Sequence, residues 1–460
     1  MLGFAGTRNW VYQLRVDGRF ARLRKWTFAA LHLVLFATPW IRVAGNPALR
    51  IDLPGRKLYL LGAIFTASDT IFLLLLLLFL AFALFFFTSL FGRIWCGYAC
   101  PQTVFLDSIV RPLEEWIEGP RAQRMKLDKA PWTFEKIWKK GVKWTLIALL
   151  AVVVAGTFGS YFTGAVPMWT GRAGDTAYLV TFVFALIWFL DLAWFREQFC
   201  NYLCPYARFQ SALQDDESLT ITYSLARGEP RGGDDAVAAG RCIECNKCVA
   251  VCPQGIDIRN GFQMECIACA ACIDACDSVM TRIGHTTLVT YGTMAQEKGK
   301  PVRLVRPRTV VYGGLLAGLM ASGVTLAVMR QPIEAQVSRV RGTLFQVDKD
   351  GWVRNTFMLS ITNKSASKQP IPYTFEVTGL KGAVVTAQPV SLASAESRTV
   401  PLVVRIPPVG PMERTMPMRV TVASPTASVV LEATFKTPGA IDDDHPDGEG
   451  PADKHEAERH

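Results

Sequence analysis

The chain has 460 residues, 50% of them hydrophobic and 19% charged, with a mean hydropathy of +0.22. A soluble globule carries about a quarter charged residues, so a single soluble domain is excluded and a membrane protein is expected. The formal net charge is +10; the basic residues flank apolar stretches and form no single patch, so the surplus reports membrane topology and no nucleic-acid partner is expected.

Residues 1–25 are a basic segment with Arg8, Arg15, Arg19, Arg22, Arg24 and Lys25. Hydropathy then predicts a five-helix transmembrane bundle: Trp26 to Ile41, Thr70 to Leu90, Val142 to Phe162, Thr176 to Phe195 and Thr309 to Met329. The second is the plainest. Ile71 to Phe87 is an unbroken apolar run, and with its flanks it reaches about 20 residues, enough to cross a ~30 Å hydrocarbon core. No small-residue cleavage site follows the first span, which is expected to remain as an anchor. The 92–141 loop adds nine Lys and Arg, whereas the segment between the third and fourth spans has only Arg172. The positive-inside rule therefore puts the N-terminus, the 92–141 loop and the 196–308 segment in the cytoplasm. The 42–69 loop and everything after Met329 are expected on the outer face.

A weak internal repeat runs through the first 205 residues. Asp69-Thr70 opens the second span and Asp175-Thr176 the fourth, and each span is followed by Cys-x-x-x-Cys-Pro, at Cys96, Cys100, Pro101 and at Cys200, Cys204, Pro205. The Asp or Thr is suited to capping the outer helix end, and Pro to the first turn of a new helix. Within each pair a spacing of four puts both sulfurs on one helix face if the helix continues there. Both pairs are expected at the cytoplasmic membrane edge, where four thiolates meet as a soft-metal site for copper, ligands of another iron–sulfur centre, or a reversible dithiol.

The strongest chemical signal lies in the 201–308 segment. Cys242, Cys245, Cys248 and Cys252-Pro253 make C-x2-C-x2-C-x3-C-P, and Cys266, Cys269, Cys272 and Cys276 repeat the spacing. This is the run of bacterial ferredoxins with two [4Fe-4S] clusters, in which the fourth Cys ligates the other cluster. Cys242, Cys245, Cys248 and Cys276 are thus assigned to one cluster, and Cys266, Cys269, Cys272 and Cys252 to the second, in a domain over about 235–285. Zinc knuckles take two cysteines and then a longer gap, which these lack. Cys276 is followed by Asp277 instead of Pro, which alters hydrogen bonding and solvent access near that cluster. All twelve cysteines fall in these motifs.

Only His32 of five histidines is intramembrane, so paired haem ligation is disfavoured and His32 is read as a hydrogen-bonded helix residue. No G-x-G-x-x-G joins a strand to a helix, so no nucleotide or flavin site is indicated. After the fifth span (309–330), Phe357-Leu359-Ile361, Tyr373-Phe375-Val377, Met418-Val420-Val422 and Val429-Leu431-Ala433-Phe435 alternate with polar residues, the period of half-buried strands. Turn signals at Asp350-Gly351, Asn363-Lys364 and Pro407-Pro408 separate them. Residues 331–437 suit an all-β immunoglobulin-like sandwich that docks and does not catalyse; 438–460 read as a polar, disordered tail.

These motifs resemble the cytochrome c oxidase accessory protein family, called CcoG, FixG or RdxA, over nearly the whole chain. The carriers are Gly92-Arg93-Ile94-Trp95-Cys96-Gly97-Tyr98-Ala99-Cys100-Pro101-Gln102-Thr103-Val104, Cys204-Pro205-Tyr206-Ala207-Arg208-Phe209-Gln210, Gly255-Ile256-Asp257-Ile258-Arg259 and Cys272-Ile273-Asp274-Ala275-Cys276-Asp277. His285 to Tyr291 matches less well. The resemblance implies a protein of the bacterial inner membrane that acts as a cupric reductase, supplying Cu(I) for assembly of a cbb-type oxidase. Implied partners are the lipid membrane, oxidase assembly factors or a copper chaperone, an unknown cytoplasmic electron donor and, as an option, a second copy of the chain. Spacing alone gives an electron-transfer membrane protein, which leaves two rivals: a quinol-linked relay without a metal substrate, and a non-enzymatic assembly scaffold.

Overall fold

The computed structural model describes residues 10–43, 45–66, 69–232, 241–303, 305–340, 342, 344–365, 367, 369–408 and 413–438. Apart from Pro438, the expected tail lies outside the described residues. The chain divides into two compact units, Met1–Met329 and Arg330–His460.

Four helices of the first unit are long and apolar enough to cross a membrane: Thr70–Phe91, Phe134–Thr163, Asp175–Phe195 and Pro307–Met329. Leu73, Leu74, Leu77 and Leu80 on the first, and Leu179, Val180 and Phe182 on the third, are exposed, as lipid-facing residues are. The expected first span is also helical, over Arg19–Ala37, but it starts inside the basic segment and is not one of the four. The Phe134–Thr163 helix likewise begins well before Val142. Thr133 accepts a hydrogen bond from the Lys136 backbone N at 3.4 Å and caps it, and its first turns carry Lys136, Lys139, Lys140 and Lys143.

The expected Asp-Thr caps are not formed alike. Asp69 is the N-cap of Thr70–Phe91 without a side-chain cap, its carboxylate turned back onto the Thr66 N–H at 3.0 Å. Asp175 sits inside its helix behind Gly174. Gly174 has φ of 87°, a backbone that glycine adopts without strain, so the chain turns into the helix there and leaves Asp175 in the first turn.

Two strands that the sequence reading missed, Thr220–Tyr223 and Val289–Gly292, pair antiparallel and bracket both cysteine runs. Ile221, Tyr223 and Val289 from this ribbon, and Leu288 just before its second strand, pack with Ile258 and Ile273 into the core that surrounds the cysteines.

The second unit is all β. One sheet has the order Val384–Thr386, Ser397–Ile406, Val353–Asn363, Ile333–Arg339, with Gln346–Val347 also on the third strand; the other runs Val390–Leu392, Ile371–Thr378, Thr415–Ala423, Ser428–Lys436. Every pair is antiparallel. Along Val353–Asn363 each alternate residue is buried, the period of two that the sequence shows. Phe357, Leu402 and Val404 of one sheet share a core with Met418, Val420 and Phe435 of the other. Asn355 ties the sheets through its amide, donating to Lys436 O at 2.7 Å and accepting from Lys436 N at 2.9 Å.

Candidate functional site

The two cysteine runs are offset by twenty-four residues, and their backbones repeat as well. Glu244 and Asn246 in the first, and Ala268 and Ala270 at the equivalent places in the second, have φ of 50°, 52°, 51° and 61°. None is glycine, and for Glu244, Ala268 and Ala270 the left-handed backbone costs about 1 kcal/mol or more each, while Asn246 takes it more readily. Such costs at repeated positions mark a conformation that the site requires. In each run the second left-handed residue opens a helix, Lys247–Ala250 or Ala271–Met280, which carries the third cysteine in its first turn.

Two cavities result, and their walls cross between the runs. One is walled by Cys242, Cys245, Cys248 and Cys276, with Tyr223, Met280 and Val289. The other is walled by Cys252, Cys266, Cys269 and Cys272, with Ile221, Ile256 and Ile258, and Cys248 borders it too. Burial pushes the thiols of Cys248 and Cys252 up to about 11 and that of Cys266 up to about 12, and moves Cys269 and Cys272 the same way. The polypeptide alone therefore keeps these thiols protonated, and loading them with metal releases protons. Four sulfurs per cavity, apolar walls and the exchange of the fourth ligand fit a pair of [4Fe-4S] cubanes. Asp277 is exposed in the interior of the Ala271–Met280 helix, where a proline would remove a helical N–H.

The membrane-edge cysteines depart from the helical-face argument. Cys96 lies in the short helix Ile94–Tyr98, but Cys100 is extended, with φ −63° and ψ 126°. Cys200 lies in a π-helical turn, Phe199–Leu203, and Cys204 is extended at φ −70° and ψ 109°. The cause is the proline after each second cysteine, which drives the preceding residue out of the α region; Pro101 and Pro205 then open new helices, Pro101–Phe105 and Pro205–Leu213. The four thiols are neighbours nonetheless. Burial raises Cys200, and Cys100, Cys96 and Cys204 around it add to the rise. Burial also takes Cys96 up to about 11, against the pull of Arg93, and its Sγ donates to Gln210 Oε1 at 3.0 Å. Among the described residues, no three His, Cys, Asp or Glu side chains are drawn in to the spacing of one ion.

The two sets of cysteines are joined through Gly97. A Cβ there would stand 2.6 Å from Ile267 O and 2.9 Å from Cys269 Cα, so the Cys96–Cys100 turn is seated on the backbone of the Cys266–Cys272 loop. Cys96, Ile267 and Cys269 share one apolar cluster. Arg93, buried, reaches Met264 O and its charge bears on Cys96, Cys200 and Cys266. Arg24 donates to Gly97 O at 3.0 Å, pairs with Asp107 and bears on Cys269. None of Gly97, Arg93, Gln210 or Arg24 was singled out by spacing; the available signal was a glycine inside Cys-x-x-x-Cys. His32 meets its expectation, Nδ1 lying 2.7 Å from Phe28 O.

The family described as a 4Fe-4S dicluster domain matches residues 195–294, a 4Fe-4S binding domain matches 73–119, and the IG-like fold at the C-terminus of FixG matches 323–438. Protein RdxA of Cereibacter sphaeroides is 37% identical over 377 residues, covering 78% of this chain and 80% of its own. Nitrogen fixation protein FixG of Rhizobium meliloti is 35% identical over 418 residues, covering 80% and 79%. The methylamine utilization ferredoxin-type protein MauN of Paracoccus denitrificans is 26% identical over 171 residues, covering 37% and 51%. With likeness of that extent, and with the doubled cysteine run beside apolar helices, the chain belongs to the FixG/RdxA family and is a membrane-associated iron–sulfur electron-transfer protein.

Proposed function

We propose that the chain is a cupric reductase of the bacterial inner membrane that supplies Cu(I) for assembly of a cbb-type cytochrome c oxidase. The observation that supports it is the seat of Gly97 on Cys269, which brings the turn carrying Cys96 and Cys100 against the backbone of the Cys266–Cys272 loop. Cys242, Cys245, Cys248 and Cys276 hold one [4Fe-4S] cluster, and Cys266, Cys269, Cys272 and Cys252 the second; when bound, these groups supply one-electron reduction. Cys96, Cys100, Cys200 and Cys204 take copper as substrate. One electron converts Cu(II), which favours nitrogen and oxygen, to Cu(I), which favours thiolate, so the same four sulfurs retain the product. Binding displaces the protons that burial holds on Cys96 and Cys200. Gln210, which accepts a hydrogen bond from Cys96 Sγ, fixes that side chain, and Arg93 offsets the negative charge that develops.

In this reading Arg19–Ala37 is a fifth crossing. The N-terminus and the clusters face the cytoplasm, where the electron donor docks. The β unit, an immunoglobulin-like sandwich, lies in the periplasm and meets an oxidase assembly factor or copper chaperone; reporter fusions at Arg259 and Lys364 are expected in opposite compartments.

The test is a Cys100→Ser, Cys204→Ser double variant of the full chain, purified without oxygen. It is expected to keep about eight iron atoms, two cubanes of four, while losing tight Cu(I) binding and most Cu(II) reduction, because a hydroxyl is a hard ligand. Unchanged copper binding and reduction would remove these cysteines from the reaction. A second reading has support in the 4Fe-4S binding domain match over 73–119, which contains Cys96 and Cys100: the four thiols hold a third cluster. It requires about twelve iron atoms in the unaltered chain, and loss of about four in the double variant.

A further inference from the structure

Of the cations set around the cysteines, Arg93 stands apart, because no carboxylate among the described residues pairs with it. Arg24 is held by Asp107, and Arg259 by Asp257 at 2.6 Å. Arg93 is 4% exposed, its Nε meets no acceptor among the described residues, and a terminal nitrogen reaches a neutral carbonyl, Met264 O. A buried cation left without an anion is costly, so its counter-charge has to come from something the polypeptide binds. We infer that Arg93 sets the reduction potential of the cluster assigned to Cys252, Cys266, Cys269 and Cys272, raising it so that the electron is held on the side of the membrane-edge thiols.

Placement comes first. Arg93 is the N-cap of the Ile94–Tyr98 helix, so its backbone belongs to the membrane-edge turn. Its side chain crosses to Met264, two residues before Cys266, and its charge bears on Cys266 as well as on Cys96. The guanidinium is thereby fixed at both ends, between one set of thiols and the other. Cys96, Ile267 and Cys269 of the same contact are buried, and a charge so enclosed is screened far less than one in water.

The sign follows from the electron count. Four thiolates leave an occupied cavity anionic, and one-electron reduction adds a further negative charge. A fixed cation nearby stabilises the reduced form more than the oxidised one, so the potential rises; net charge is among the levers on such clusters. The other cavity lacks this bias. Arg259 lines it, but Asp257 accepts from Arg259 Nε at 2.8 Å, and the two act on Cys248 in opposite directions. Arg93 therefore separates two ligand sets that the repeated spacing makes alike. The inference rests on the cluster assignment proposed above and not on copper as the substrate.

The test is a dithionite titration of the full chain in lipid nanodiscs, followed by electron paramagnetic resonance, with iron measured on the same samples. Arg93→Gln keeps an N–H donor and removes the charge. It is expected to move one of the two cluster signals to lower potential, by at least tenfold in the reduction equilibrium or about 59 mV for one electron, at about eight iron atoms per chain. The shift is expected to persist at high salt, where exposed charges are screened. Arg93→Lys, which retains the charge, is expected to recover most of it. Arg259→Gln, which strands Asp257, is expected to move the other signal. Unaltered potentials in Arg93→Gln, an equal fall in Arg93→Lys, or both Gln variants acting on the same signal would each overturn the proposal. Loss of about four iron atoms from Arg93→Gln but not from Arg93→Lys would still tie the charge to one cluster, whereas loss from both would overturn it in favour of a packing role. An unaltered chain without two cubane signals would instead overturn the cluster assignment, and this proposal with it.

Discussion

At Gly97 a missing side chain lets two loops touch. Any Cβ meets backbone atoms of Ile267 and Cys269, and backbone cannot step aside as a flexible side chain can, so Gly97→Ala must push the two loops apart. Such overpacking costs about 1–3 kcal/mol. The variant is expected to alter the electron paramagnetic resonance signal of the cluster assigned to Cys266, Cys269, Cys272 and Cys252 while leaving the other signal in place. Identical spectra with an unchanged Tm would show that the seat does not matter. The sequence announces the cysteines through their spacing, but it is silent on Gly97, because a contact with a loop some 170 residues away leaves no local pattern. Arg93 is hidden for the same reason: its weight comes from lying between Cys96 and Cys266 in space.

Among the elements, the helices were legible wherever hydropathy was uninterrupted, and the alternating strands of the second unit likewise. The missed ribbon, Thr220–Tyr223 with Val289–Gly292, is short and joins segments almost seventy residues apart, so neither half shows a hairpin. The spacing of the membrane-edge pairs puts both sulfurs on one face only if a helix continues through them, and the prolines stop it. The start of Arg19–Ala37 was misplaced because its cap comes from elsewhere. Asp274, on the Ala271–Met280 helix, accepts from Phe20 N at 3.3 Å and from Ala21 N at 2.7 Å, satisfying first-turn donors that the preceding Gly18 cannot. Leu14 N, bonded to Ala250 O at 2.8 Å, extends the tie. Asp274→Ala is expected to cost about 1–2 kcal/mol, the scale of a lost N-cap. It should also speed hydrogen exchange at Phe20 and Ala21 with both clusters retained; protection equal to the parent chain would contradict this cap.

For the whole molecule, a subset of the basic residues that signal topology in the sequence is internal. Arg93, Arg124, Lys136 and Lys140 of the 92–141 loop are buried. Glu114 pairs with Arg196 at 2.6 Å and with Lys143 and Arg124 at 3.5 Å, while Glu118 meets Lys143 at 2.7 Å and Lys140 at 2.9 Å. Burial alone would raise the Glu114 carboxyl, yet Arg196, Lys143 and Arg124 hold it at about 2, below its ordinary 4.5. A depressed carboxyl stabilises the fold fully above the ordinary value and loses that contribution as pH falls toward 2, here roughly 3 kcal/mol. Tm is therefore expected to fall between about pH 4.5 and 2, and Glu114→Gln to lose most of this slope. The variant should also be less stable at pH 7, because Arg196 is left buried without its partner; a slope equal to that of the parent chain would exclude Glu114 as its source. The crossed walls of the two cysteine cavities carry a further consequence. With the ligand sets proposed above, each run completes that of the other, so an occupied cavity fixes Cys252 or Cys276 and with it the run that receives the neighbouring cluster. Uptake of iron is then expected to be cooperative: a chain short of iron is expected to partition into empty and full molecules, with the half-filled one the least populated state.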